Sequence, residues 1–111
     1  MPILVPLNTF KTLANTVTTS DALAYQTPTG VSTVVLLAQF VNAGSVAGEV
    51  SANLYRSGAN TELIKQMRIS ANDASTFLTG RLVLEEGNRL FIRANNANFK
   101  FVFSYLETAN A

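Results

Sequence analysis

The stretch Phe99-Lys100-Phe101-Val102-Phe103-Ser104-Tyr105-Leu106 decides the fold class. Successive side chains of an extended chain point to opposite sides. This spacing therefore puts Phe99, Phe101, Phe103 and Tyr105 on one face and Lys100, Val102, Ser104 and Leu106 on the other. A run of aromatics sharing one strand face is a core face. A platform for stacking bases or sugars would carry polar or basic companions, and Lys100 points the other way. The same alternation recurs upstream, with Val50, Ala52 and Leu54 set against Glu49, Ser51, Asn53 and Tyr55, the pattern of an antiparallel strand with one wet face.

Outward from these two segments, strands are expected at Phe10–Val17, Ala22–Tyr25, Ser32–Val41, Glu49–Ser57, Glu62–Ser70, Ser75–Leu84, Arg89–Ala94 and Phe99–Glu107. Turn chemistry separates them at Asn42-Ala43-Gly44-Ser45, Ser57-Gly58-Ala59-Asn60, Asn72-Asp73, Glu86-Gly87-Asn88 and Asn95-Asn96-Ala97-Asn98. No long stretch repeats its apolar residues at helical spacing. About eight short strands with a turn signal roughly every ten residues suit a two-sheet sandwich or a barrel, and the best-fitting count is that of an all-β, single-domain antiparallel β-sandwich, jelly-roll-like. The 111 residues suit one domain: an apolar N-terminal arm over 1–9, the sandwich over 10–107 and a short tail over 108–111.

Composition narrows the function. Hydrophobic residues make up 48% of the chain and charged residues 14%, against about 25% charged in ordinary soluble domains. A surface of Ala, Thr, Ser and Asn lacks the charge that holds monomers apart, so packing against neighbours is expected. The net charge of +1 comes from basic residues scattered between Lys11 and Lys100, without the cluster that neutralises phosphates, so no nucleic-acid partner is expected. The longest apolar run, Val34-Val35-Leu36-Leu37-Ala38, is far short of the roughly twenty residues of a membrane span, and Met1–Leu7 lacks the features of a secretory signal.

Chemistry has few residues to work with. Histidine and cysteine are absent, which removes the usual neutral-pH base, the thiol nucleophile and the commonest metal ligands. Glu85-Glu86 is the one adjacent carboxylate pair, and neighbours on a strand diverge, so it reads as a solvated strand end entering the Gly87 turn. Asp73 beside Asn72 and Asp21 beside Ser20 read as turn caps rather than calcium ligands. Gly44 and Gly48 match no phosphate-binding or dinucleotide fingerprint and read as turn glycines. Arg89, Phe91 and Arg93 share a strand face, the makings of a small basic patch that is more simply solvated. The expectation is a non-enzymatic protein with no catalytic residues, cofactor, metal or small-molecule substrate. In the arm, Ile3, Leu4, Val5 and Leu7 form an apolar stretch that Pro2 and Pro6 keep out of a central strand. These four residues are the candidate partner interface, seated either on a neighbouring subunit or on the end of their own sandwich.

The segment Gly80-Arg81-Leu82-Val83-Leu84-Glu85-Glu86-Gly87-Asn88-Arg89-Leu90, followed by the alternating strand to Tyr105-Leu106-Glu107, resembles small structural proteins of tailed bacteriophages. Tyr25-Gln26-Thr27-Pro28-Thr29-Gly30, with the hydrophobic strand that ends near Asn42, resembles the first half of the same pattern. Asn88 stands where related sequences often carry Asp. Length and cysteine-free β composition make the chain most similar to the capsid decoration, or staple, proteins of epsilon-fifteen-like short-tailed phages. That resemblance implies a jelly-roll-like protein on the outer capsid surface of the virion, made in the host cytoplasm. It implies binding across major capsid protein subunits, and homo-oligomerisation as a dimer. Two other roles fit the same residues: a neck, tail or baseplate accessory protein, and a carbohydrate-binding β-sandwich module that uses an exposed Tyr25 or Tyr55.

Overall fold

The computed structural model describes residues 8–76 and 81–109. The described residues form β1 (Thr9–Thr16), β2 (Ala22–Gln26), β3 (Val31–Asn42), β4 (Gly48–Arg56), β5 (Ala59–Ile69), β6 (Ala74–Thr76), β7 (Leu82–Leu84), β8 (Arg89–Ala94) and β9 (Phe99–Ala109), and they contain no helix. One sheet runs β1-β9-β3 and then β6, with β7 also paired to β3; the other runs β2-β8-β4-β5. Every pairing is antiparallel. β6 and β7 both lie along β3, on Gln39–Val41 and on Thr33–Val35, as two pieces of one edge. With that edge counted once, the described residues form eight strands that cross between two four-stranded sheets, the jelly-roll arrangement.

Seven of the eight expected strands are present with shifted ends; of the expected strand Ser75–Leu84 the described residues show two pieces, β6 and β7, and residues 77–80 lie outside them. The turn foreseen at Ser57–Asn60 contracts to Ser57-Gly58, because both residues take positive φ (51° and 82°) and so close a two-residue hairpin whose twist suits the strands; Ala59 and Asn60 are already paired in β5. Thr108 and Ala109, expected in a C-terminal tail, continue β9 by pairing with Ser32 and Val31. Gly48 is not a turn residue. It opens β4 and is buried, and a Cβ there would stand 2.5 Å from the ring of Phe99, so glycine is what lets that ring pack against the backbone.

Phe99, Phe101, Phe103 and Tyr105 all point into the space between the sheets and are buried with Phe40, Val35, Val50, Leu84, Leu90 and Ile92. Their rings form a tilted ladder, with centroid separations of 5.0 Å for Phe40–Phe101, 5.7 Å for Phe101–Phe103 and 5.1 Å for Phe103–Tyr105, distances at which aromatic pairs attract beyond simple burial. The crossover from β3 to β4 is held by buried Asn42, whose Nδ2 donates to the carbonyls of Val46 (2.8 Å) and Ile69 (3.1 Å) and whose Oδ1 accepts from Gly44 N (3.0 Å). A buried amide with all these partners costs little to enclose and orders the loop.

Candidate interaction surfaces

Four parts of the surface hold residues that could meet a partner. The first is a polar network at one end of the sandwich, built by Glu107, which continues the inward series of β9 past its aromatics. Its Oε2 accepts from the Tyr25 hydroxyl at 2.6 Å and its Oε1 pairs with Lys11 Nζ at 2.8 Å. The Tyr25 oxygen also lies 2.8 Å from Thr33 Oγ1. A phenol has one proton, so if Tyr25 donates to the carboxylate, Thr33 donates to Tyr25. Burial, then the hydrogen bond to Glu107, pushes the Tyr25 phenol well above its ordinary range. Burial alone would raise the Glu107 carboxyl, but the hydrogen bonds from Lys11 and Tyr25 and the nearby ammonium charge outweigh it and hold the group below its usual value. Glu107 in turn raises Lys11, chiefly through their hydrogen bond. The network ties β2 of one sheet to β1, β3 and β9 of the other. Tyr25 is thus no exposed sugar platform: it is 8% exposed, with its ring 4.6 Å from that of Tyr105.

The second is the outer face of the β2-β8-β4-β5 sheet. The alternation of β4 holds, with Val50, Ala52 and Leu54 inward and Glu49, Asn53 and Tyr55 partly exposed outward; Ser51, expected to be wet, is buried because its Oγ accepts from Gln66 N at 3.0 Å across an irregular stretch of β5. Gln66 takes a positive φ of 56° there, a conformation an L side chain rarely adopts. Two shallow depressions of about 300 Å³ each lie on this face. One is polar and lined in part by Glu49, Ser51, Gln66 and Arg93. The other brings Tyr55 and Phe91 together with Asp21, Asn53 and Asn60, and the Asn53 Oδ1 is buried with no hydrogen-bond partner. Arg89 stands 5.8 Å over the Tyr55 ring, and Arg93 makes an exposed 3.8 Å pair with Asp21. The expected Arg89–Phe91–Arg93 face is therefore present, but its cations are engaged with a ring and a carboxylate.

The third is the outer face of the β1-β9-β3 sheet, where Phe10, Leu36 and Val83 are large apolar side chains left in water at 71%, 42% and 50% exposure. The fourth is the edge of β1, which among the described residues pairs with β9 alone and is exposed at every residue except half-buried Leu13. Lys11 sits at an inward position of this edge, a placement that discourages unwanted strand pairing. The arm residues Ile3, Leu4, Val5 and Leu7 lie outside the described residues.

The other sequence candidates are placed as turn and strand-end residues. Glu85 and Glu86 are exposed, and Glu86 Oε1 accepts from Gly30 N at 3.0 Å. Asp73 caps its turn through a 2.8 Å bond from Ala74 N. Among the described residues no three Asp and Glu side chains gather as metal ligands would. The exposed apolar residues of the third surface were missed from sequence, although the outward series of β9, with Val102 and Leu106, carried part of the signal.

These features define the class: a single-domain jelly-roll β-sandwich with a charge-poor surface. No protein-family model matches the sequence, and comparison with curated proteins finds no match. Among solved structures the chain is similar to a protein from Bacillus endospore appendages, which are described as a novel family of disulfide-linked pili, at 11% identity and a TM-score of 0.59 over 95% of this chain and 88% of that one. It is also similar to a pentameric capsid protein isolated from metagenomic phage sequences, at 16% identity and a TM-score of 0.42 over 97% of this chain and 64% of that one. The likeness to the appendage protein is one of fold.

Proposed function

We propose that the chain is a non-enzymatic structural protein of a bacteriophage virion, a capsid decoration protein that binds across major capsid protein subunits on the outer shell and stabilises the head. The observation that carries this reading is the surface. Large apolar side chains, Phe10, Leu23, Leu36, Val46 and Val83, stand exposed on a chain with only 14% charged residues; Phe10, Leu36 and Val83 share the outer face of one sheet, and grouped apolar surface of this kind marks association sites. The residues that could titrate together, Tyr25, Glu107 and Lys11, fasten the two sheets to each other. Without cysteine, disulfides cannot link subunits of this chain, so its assembly is non-covalent in that respect.

In this reading the arm residues Ile3, Leu4, Val5 and Leu7 bind a neighbouring subunit in extended form, and many weak copies act together on the shell. The test is copy number in purified particles. Hundreds of copies per particle are expected, whereas a handful would favour a neck, tail or baseplate role. Deleting residues 1–6 should leave the melting temperature of the isolated protein unchanged and abolish binding to particles. A lowered melting temperature with unchanged binding would place the arm on its own sandwich instead.

A second reading has its own observation, the depression that joins the Tyr55 and Phe91 rings to Asn53, Asn60 and Asp21. Aromatic faces beside amide and carboxylate groups suit a saccharide, since rings stack on its C–H faces while the polar groups meet its hydroxyls. Glycan-array binding that disappears in Tyr55→Ala would support a carbohydrate-binding module.

A further inference from the structure

The strand registers turn the exposed apolar residues of the β1-β9-β3 sheet into one surface. Phe10 of β1 is paired with Leu106 of β9, Leu106 with Val34 of β3, and Val34 with Val83 of β7. All four are on the outward face, because their strand neighbours Val35, Leu84 and Tyr105 are buried inside. They form a straight apolar row across the whole width of the sheet. Between Val35 and Leu37 the β3–β9 register shifts, and this bulge sets Leu36 as well as Leu37 on the outer face, thickening the row at its centre. The flanking outward residues are Thr12, Ser104, Ala14, Val102 and Gln39. Among the described strand residues of this face Lys100 is the one charge, and it sits toward the far end, where its Nζ donates to Thr16 Oγ1 at 3.2 Å.

From this row we infer that the outer face of the β1-β9-β3 sheet packs against the same face of a second copy of the chain. The inference rests on the association reading above and names the partner and the surface. Three properties favour a second copy. Among its described strand residues the face carries a single charge, Lys100, which offers a charged partner little to complement. Its size approaches that of a dimer interface: β1, β9 and β3, of 8, 11 and 12 residues, with the three-residue pieces β6 and β7 along the edge, span on the order of 600 Å² at about 4.8 Å between strands and about 3.4 Å per residue, against the roughly 800 Å² that each partner contributes to a standard interface. The row is also self-complementary. A two-fold axis along the strands, passing between Leu106 and Val34, sets Phe10 of one copy over Val83 of the other and Leu106 over Val34, the reciprocal contact that closed dimers use. Two sheets packed in this way lie about 10 Å apart with their side chains interdigitated.

The experiment is sedimentation equilibrium of the purified full chain over a concentration series, comparing the native sequence with Val83→Lys, Phe10→Asp and Leu23→Lys. Val83 and Phe10 are exposed in the single chain, so their replacement leaves the fold and its circular dichroism spectrum intact. A native dimer is expected. Phe10 and Val83 face each other at the two ends of the row, so Val83→Lys and Phe10→Asp each set a charge against an apolar side chain at both ends of the contact and should raise the dissociation constant by on the order of 100-fold or more. Leu23→Lys, equally exposed but on the other sheet, should leave the dimer unchanged. A native protein that stays monomeric throughout, a dimer that survives both Val83→Lys and Phe10→Asp, or one that Leu23→Lys dissolves instead overturns the inference. None of these results depends on binding to a particle, so the copy-number test of the virion reading can fail or succeed separately.

Discussion

Replacing Tyr25 with Phe removes one oxygen atom and leaves the ring in place, which isolates the polar tie between the sheets. In the native protein that oxygen gives its proton to the Glu107 carboxylate at 2.6 Å and lies 2.8 Å from Thr33 Oγ1. A hydrogen bond to a charged acceptor contributes about 1.5–3 kcal/mol, and a buried hydroxyl stripped of its partner costs about 1–3 kcal/mol. Thr33 is fully buried and bears that cost. Glu107 keeps Lys11, and its side chain retains 12% exposure, so water softens its share. The expected loss is about 2–3 kcal/mol, read by urea unfolding at neutral pH as a lower midpoint with an unchanged slope. Thr33→Val provides the control. Removed together, the two hydroxyls leave no orphan, so the double variant should lose at least about 1 kcal/mol less than the sum of the single variants. A loss below about 0.5 kcal/mol in Tyr25→Phe, or strict additivity with Thr33→Val, would refute the reasoning.

Other measurements probe the same frame. Glu107 has a lower pKa in the folded than in the unfolded chain, so its contribution is complete above the ordinary glutamate value of about 4.3 and is lost as pH falls through the lower folded value; unfolding titrations from neutral to acid pH should show this decline, and Glu107→Gln should flatten it. Phe101→Ala and Phe103→Ala should each cost about 3–5 kcal/mol by denaturant unfolding, since both rings are fully buried. Gly48→Ala should cost about 1–3 kcal/mol or more through overpacking against the fixed ring of Phe99, seen as a lowered melting temperature with the β-type circular dichroism spectrum retained.

The class of fold was legible because its signal is local. Phe99, Phe101, Phe103 and Tyr105 are buried as their period-two spacing requires, and Val50, Ala52 and Leu54 follow the same rule. Sheet alternation depends only on neighbours in sequence. Ser51 and Gly48 broke local expectation for tertiary reasons, the first because β5 offers it a backbone donor, the second because the ring of Phe99 passes directly above it. Tyr25 was misjudged because nothing near it in sequence announces Glu107, its partner from the far end of the chain.

The candidate surfaces divide along the same line. The sequence by itself determined an all-β chain with an aromatic core face, a charge-poor exterior and neither histidine nor cysteine, because these are properties of residue identity and alternation. Only the tertiary structure decided that Phe10, Leu106, Val34 and Val83 form one row, since they come from four strands whose registers are set by pairing between distant segments. The same holds for the Lys11–Glu107–Tyr25–Thr33 network. A one-residue slip in any of these pairings would send the whole outward set inward. Register is a collective outcome of core packing and turn geometry, and no stretch of sequence read alone contains it.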